Sequence, residues 1–235
     1  FVAAGNSGVI LTSTNASTWV SETSGSSSTL GGVAYGSGMH IVSGGSGTIL
    51  TSTNNGSSWT TQTSGTSESL IEISYLNNSF FATGAAGTII SSSNGVSWTS
   101  QTSGYGSNIN DMAYGNSIYL FVTFDGNIRT SSNGTSWANQ GSCCNTKTNS
   151  VTYGNGKFVI VGNSGIILTS NDISSWNWNE QYHSTSDTIN QIAYGNGIFV
   201  AVTLNGRIFT SSNGTSWTTR TSGTNESLNG ITFTE

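Results

Sequence analysis

The chain of 235 residues has no proline and very little charge. Without proline, no sheet donor is lost and no φ is pinned, so every segment stays open to strand pairing. Lys, Arg, Asp and Glu together make 6% of the residues, against about 25% in an ordinary globular domain. The five basic residues, Arg129, Lys147, Lys157, Arg207 and Arg220, form no cluster. With a net charge of −5, no basic patch is available to neutralise phosphates, and nucleic acid is excluded as an expected partner. Long apolar runs are missing too. None reaches the roughly 20 residues that cross a bilayer, so membrane insertion is not expected. No leader sequence is seen, and the chain opens on Phe1 to Ala4 inside a repeat, as a processed or trimmed chain would. Cysteine is limited to Cys143 and Cys144, which are adjacent and cannot staple distant segments. A strained vicinal disulfide, two free thiols and a bond to another chain all stay open. A lone Cys-Cys lacks metal-ligand spacing.

What the chain does have is a repeat. Trp19, Trp59, Trp98, Trp137, Trp176 and Trp217 follow one another at gaps of 39 to 41 residues. A period near 40 built from short β-like runs predicts a β-propeller with one blade per repeat. A first-strand aromatic recurs as Tyr35, Tyr75, Tyr114, Tyr153, Tyr194 and Phe233. A hairpin glycine recurs as Gly8, Gly47, Gly87, Gly126, Gly165 and Gly206. One repeat shows the four expected strands. Leu70 to Tyr75 alternates, and Asn77-Asn78 is a turn. Phe80 to Thr83 is a dense apolar run, Thr88 to Ser91 a third strand, and Asn94-Gly95 a tight turn. The last strand runs from Trp98 to Thr102, and no segment has helical periodicity. The expected fold is all-β, a single domain over residues 1–235. It is a six-bladed propeller of four-stranded antiparallel blades. Its C-terminus, Leu228 to Phe233, reads as a first strand without a second. Its N-terminus, Phe1 to Ala4, reads as a second strand without a first. The ring is expected to close by pairing them.

Thr51 to Trp59 and Thr130 to Trp137 resemble the Asp-box, or BNR repeat, a Ser/Thr-Asp-Gly-Trp pattern around a β-hairpin. It occurs in sialidases, photosystem assembly factors and many secreted propellers. The stretch Tyr153 to Gly162 is similar to the repeat of secreted BNR-like propellers. The resemblance covers the whole chain and implies the fold rather than an activity. Here the Asp position reads as Asn15, Asn55, Asn94, Asn133 and Asn213, with Asp only at Asp172. Asn also bonds its local backbone and tolerates a left-handed turn.

No catalytic set assembles from the motifs. A sialidase needs a converging arginine triad, and Arg129, Arg207 and Arg220 hold non-equivalent positions. His40 and His183 are far apart and fall short of a zinc ligand set. The periodic tryptophans read as packing residues. Trp178 breaks the register and is the aromatic candidate for ligand stacking, with His183 and Tyr105 beside it as off-register residues. A polar ring is the second candidate. Asn110-Asp111, Asn149-Ser150, Asn190-Gln191 and Asn229-Gly230 precede the central apolar residue of four first strands, and the equivalent pairs elsewhere are Ile71-Glu72 and Gly31-Gly32. They are expected to gather at one mouth of the channel and to hold a polar ligand or a cation. Six N-glycosylation sequons start at Asn15, Asn55, Asn77, Asn133, Asn213 and Asn225. The low-charge Ser/Thr/Asn/Gly composition points to an extracellular or surface-exposed setting. The expected function is a non-catalytic recognition or adhesion module without cofactor. Glycans are the first expected ligand and protein subunits the second. The alternative is a structural subunit of an extracellular filament, surface layer or virion, built as a homo-oligomer or larger assembly.

Overall fold

The computed structural model describes residues 1–142, 146–171, 178–182 and 186–233. They form two compact units, Phe1–Ile109 and Asn110–Glu235.

The first unit holds three sheets. One contains β1 (Val2–Ala4), β2 (Ile10–Thr12) and β3 (Val20–Glu22). The next contains β4 (Leu30–Gly36), β5 (Met39–Gly44), β6 (Thr48–Ser52) and β7 (Thr60–Gln62). The third contains β8 (Leu70–Leu76), β9 (Ser79–Gly84), β10 (Ile89–Ser92) and β11 (Thr99–Gln101).

The second unit repeats the plan. Its first sheet, which begins one residue before the unit boundary, contains β12 (Ile109–Gly115), β13 (Ile118–Thr123), β14 (Asn127–Ser131) and β15 (Ala138–Ser142). Then come β16 (Thr148–Gly154), β17 (Lys157–Gly162), β18 (Ile166–Ser170) and β19 (Asn179–Tyr182). The last sheet is β20 (Ile189–Gly195), β21 (Ile198–Thr203), β22 (Ile208–Ser211) and β23 (Thr218–Arg220). In every sheet, neighbours in sequence are neighbours in space. Among the described residues the only helical pieces are three-residue 3₁₀ turns, such as Ala85–Gly87.

The cores lie between consecutive sheets of one unit, and β17 shows why its sequence is apolar throughout. Phe158 and Ile160 pack with Leu120, Val122 and Leu168. Their neighbours Val159 and Val161 face the other way, onto Ile192, Phe199 and Phe209. A strand buried on both faces has no polar side to alternate with. The first and second strands join through two-residue turns. Asn77 and Asn78 both have positive φ, 48° and 62°, the geometry that suits the right-handed twist of the flanking strands.

The tryptophan register differs from the expected one in a single repeat. Thr130 pairs with Ala138 and Thr210 with Thr218, each the residue after a landmark tryptophan. Thr169 pairs with Asn179, the residue after Trp178. The landmark of that repeat is therefore Trp178, which packs on the cluster of Phe158, Ile160 and Leu168 as Trp98 packs on that of Ile73 and Phe80. In sequence, the stretch from Ser170 to Trp178 is two residues longer than its counterpart from Ser131 to Trp137. Trp176 and Asp172 lie outside the described residues.

The expected pairing of the termini is not formed. The sheet of β1 has three strands, and residues 221–233 contain no strand. The C-terminal segment still takes a first strand's place beside β20. Phe233 lies flat on Gly195 as Tyr194 lies on Gly154. Leu228 donates its N–H to the Thr203 carbonyl at 3.0 Å. Isolated lateral contacts do not make a ladder, so the segment is placed without being paired.

Candidate functional site

Among the described residues, the turns before Trp19, Trp59, Trp98, Trp137 and Trp217 are each organised by one asparagine. Asn94 Oδ1 accepts from the Ser92 hydroxyl at 3.1 Å and from the N–H groups of Val96 and Ser97 at 3.0 and 2.9 Å. Asn133 and Asn213 make the same bonds to their own turns. In the second repeat the organiser is Asn54, which accepts from Ser58 N–H, while Asn55 takes a positive φ of 60°. The expected assignment to Asn55 is thus displaced by one residue, because this turn carries an insertion. Since Asn94→Ala removes an acceptor for three donors at an exposed turn, it should cost about 1 kcal/mol. A shift of the urea midpoint checks this.

The polar residues of the first strands are engaged by their neighbours. Four of these strands carry a β-bulge near their start, seen as register shifts between Leu30 and Gly32, Leu70 and Glu72, Thr148 and Ser150, and Ile189 and Gln191. A bulge leaves backbone groups outside the ladder, and these need partners. In the second unit the partners come from the preceding first strand. Asp111 Oδ2 accepts from Val151 N–H at 3.0 Å and from the Ser150 hydroxyl at 2.6 Å. Ser150 Oγ in turn accepts from Ile192 N–H at 3.3 Å, and Gln191 Oε1 from Ile231 N–H at 2.6 Å. The asparagines one residue earlier do the complementary task. Asn110, Asn149 and Asn190 donate Nδ2–H to the carbonyls of Thr148, Ile189 and Leu228 at 2.8 to 2.9 Å. Asn190 also reaches Asn229 Oδ1 at 3.2 Å. Asn110, Asp111, Asn149 and Asn190 each sit on a first strand and clasp the segment that follows it, while Asn229, which lies on no strand, accepts from Asn190. Glu72 holds the same place in β8, where Oε1 accepts from Ile73 N–H.

Asp111 is the unusual member. It is buried, and burial pushes its carboxyl up to about 6 against the opposing pull of its hydrogen bonds from Ser150, Val151 and Met112. Three donors already engage it, Met112 N–H at Oδ1 and Ser150 and Val151 at Oδ2. Ser150, the second residue of the Asn149-Ser150 pair, is the hub between Asp111 and Ile192.

The remaining candidates are dispersed. Tyr105 is half-buried, and its carbonyl faces Gly87. His40 packs against Tyr35 with ring centroids 4.5 Å apart and planes tilted by 47°, and its pKa is lowered by burial and then by the positive N-terminus. Arg207 pairs with Asp187 at 3.2 Å, and Arg220 donates to the Thr210 hydroxyl at 2.8 Å, so each is occupied on its own sheet. The sequon residues Asn15, Asn55, Asn77, Asn133, Asn213 and Asn225 are all exposed. His183, Cys143 and Cys144 lie outside the described residues. Among the described residues no three His, Cys, Asp or Glu side chains gather as a metal site. No helix among them is long and apolar enough to cross a membrane. An open depression of about 480 Å³, lined by residues 46–48 and 61–67, carries hydroxyl and amide groups and none of the candidates.

Six antiparallel sheets joined in sequence order, with cores between consecutive sheets of each unit, define an all-β protein of the β-propeller class. No family model and no curated protein sequence matches the chain. Solved structures do. A structure of YCF48 bound to D1 peptide shares 19% identity at a TM-score of 0.74, over 93% of this chain and 76% of that one. YCF48 from Cyanidioschyzon merolae shares 14% at a TM-score of 0.69, over 93% and 80%. The computationally designed Ika8 protein shares 13% at 0.72, over 100% and 77%. At these identities the likeness is one of fold.

Proposed function

We propose that the chain is a non-catalytic recognition module of extracellular type whose ligand is a polypeptide. The observation that carries the reading is the engagement of the first-strand polar residues by backbone groups. Asp111, Ser150, Asn110, Asn149 and Asn190 hold strands together, which leaves them no role as an acid, base or cation cage. In this reading the six sheets are six blades, and recognition belongs to their loops and edges. The glycan form loses its main aromatic support, because Trp178 is packed into an apolar cluster. The polypeptide form gains support from a protein of like fold that has been solved with a peptide bound. Fold alone does not transfer a ligand, so the test is direct. Selection from a random peptide display library, run beside a glycan array, should enrich peptides and leave the array blank. Binding confined to glycans would replace the ligand class. Turnover of a sialoside or other glycoside would overturn the non-catalytic reading. A purified protein that binds neither and forms a defined assembly by native mass measurement would favour the structural-subunit alternative.

A further inference from the structure

Eight asparagines in the chain are followed directly by glycine. In such a pair the next backbone nitrogen reaches the side-chain amide carbon with least hindrance, because glycine brings no Cβ into the approach. The structure divides these pairs by what holds that nitrogen. In four of them the glycine is buried and its N–H donates to a serine hydroxyl. Gly95 donates to Ser92, Gly134 to Ser131 and Gly214 to Ser211 at 2.8 Å, and Gly56 to Ser52 at 2.9 Å. The side chains of Asn94, Asn133 and Asn213 are fixed as well, with Oδ1 held by the two N–H groups that follow the glycine. Gly206, also buried, donates to the Thr203 carbonyl at 3.3 Å.

Asn155-Gly156 is built differently. The pair is the tip of the hairpin between β16 and β17, where Gly154 pairs with Lys157. Both tip residues are exposed, at φ 46° and 75°. Among the described residues Gly156 N–H has no hydrogen-bond partner and Asn155 Oδ1 no donor. Nothing lies within 4 Å of where a Gly156 Cβ would stand. The bond that Asn155 does make comes from its nitrogen, which donates to the Ser212 carbonyl at 3.2 Å. Beside it, Lys157 Nζ donates to the Asn213 carbonyl at 2.8 Å. Within the second unit, these two bonds clasp the hairpin to the tryptophan turn of the next sheet.

We propose that Asn155 is a site of spontaneous deamidation and that the reaction undoes its half of this clasp. Gly156 N gives its proton to hydroxide and attacks Asn155 Cγ. The N–Cγ bond forms, the Cγ–Nδ2 bond breaks, and Nδ2 leaves as ammonia with a proton from solvent. Water then opens the cyclic imide. Cleavage at Cγ gives aspartate, and cleavage at the backbone carbonyl gives isoaspartate, in which the chain runs through the former side chain. The net change is one water consumed and one ammonia released, with no redox step. The departing nitrogen is the one bonded to Ser212. The carboxylate left behind only accepts hydrogen bonds, and it stands before a carbonyl oxygen that needs a donor. Asn196-Gly197 and Asn229-Gly230 share the free glycine N–H among the described residues and are expected to react as well.

The test is incubation of the full chain in mildly alkaline buffer, followed by peptide mapping that reads the gain in mass at each asparagine. Asn155 should convert at least about tenfold faster than Asn94 or Asn213, because those pairs must first break hydrogen bonds that Asn155 does not make. In concentrated urea the difference should vanish. Ser92→Ala frees Gly95 N–H and should raise the rate at Asn94 while leaving that at Asn155 unchanged. If Ser92→Ala does not fold, Ser211→Ala makes the same test at Asn213, and the wild-type comparison stands without either. The converted chain, separated by ion exchange, should melt roughly 2–4 °C below the unconverted one. Equal rates at Asn155, Asn94 and Asn213 in the folded chain overturn the proposal. So does an advantage of Asn155 that persists in urea, since the dipeptide and not the fold would then set the rate. A folded serine variant whose freed pair reacts no faster removes the protecting bond as the cause. A converted chain with an unchanged melting temperature overturns the link to the clasp.

Discussion

Replacing Gly87 with alanine is expected to lower the melting temperature by about 10 °C, since each kcal/mol moves a domain of this size by roughly 2–4 °C. Gly87 ends a 3₁₀ turn between β9 and β10 at φ +72°, next to Ala86, itself at φ 51°. Alanine there takes on left-handed strain of about 1–2 kcal/mol. The steric clash is the greater penalty. The added Cβ would stand 1.8 Å from the Tyr105 carbonyl oxygen and 2.7 Å from its carbon. Backbone on both sides has no rotamer to escape through, so the turn and the Tyr105 loop must separate, at a cost on the order of 2 kcal/mol or more. The same approach recurs at Gly8 against Ser26 and at Gly47 against Thr66, so the result is a property of the repeat. Gly106→Ala is the control in the same loop. Nothing lies within 4 Å of its position, and its melting temperature should barely move. Equal losses in the two variants would show that the close approach is not what requires glycine.

The second large effect is a pH dependence centred on Asp111. Its carboxyl titrates at about 6 in the folded chain, raised from 3.8 by burial. The folded state therefore holds this proton more tightly than the unfolded state. The associated stability is fully present below about pH 4 and is lost as pH rises through about 6. A shift of about two units corresponds to roughly 3 kcal/mol at about 1.4 kcal/mol per unit. Asp111→Asn cannot titrate, so the wild-type minus variant difference in unfolding free energy should fall by that amount between pH 4 and 7. Urea titrations at half-unit intervals measure it. A difference that stays flat, or that rises with pH, would mean that the three hydrogen bonds from Met112, Val151 and Ser150 outweigh desolvation.

Much of the fold was legible because it depends on local chemistry repeated six times. Tryptophan spacing located the repeats, paired left-handed residues such as Asn77 and Asn78 marked the hairpins, and the unbroken apolar run at Phe158 to Val161 marked a strand buried on both faces. Insertions were less legible. A gap of 39 then 41 residues places Trp176 on the landmark, and a gap of 41 then 39 places Trp178 there. Spacing cannot choose between them. Strand pairing does, because only one alignment sets Thr169 opposite the residue after the tryptophan. Asn54 and Asn55 posed the same problem at shorter range, and a turn hydrogen bond resolved it.

The sequence by itself determined a β-repeat protein with little charge, glycine at every second hairpin and polar residues at the head of the inner strands, because composition, period and turn chemistry are local. Only the tertiary structure decided what those polar residues do. Asn110 meets a carbonyl 38 residues away, and Asp111 meets an amide 40 residues away. Whether such a side chain faces a ligand or closes a neighbour's bulge depends on which strand lies beside it, and that adjacency is not written in the local pattern. The same holds at the two ends. The pattern made Leu228 to Phe233 a partner for Phe1 to Ala4, and the structure forms no hydrogen-bonded ladder between them, because strand pairing requires two backbones in register as well as two compatible sequences.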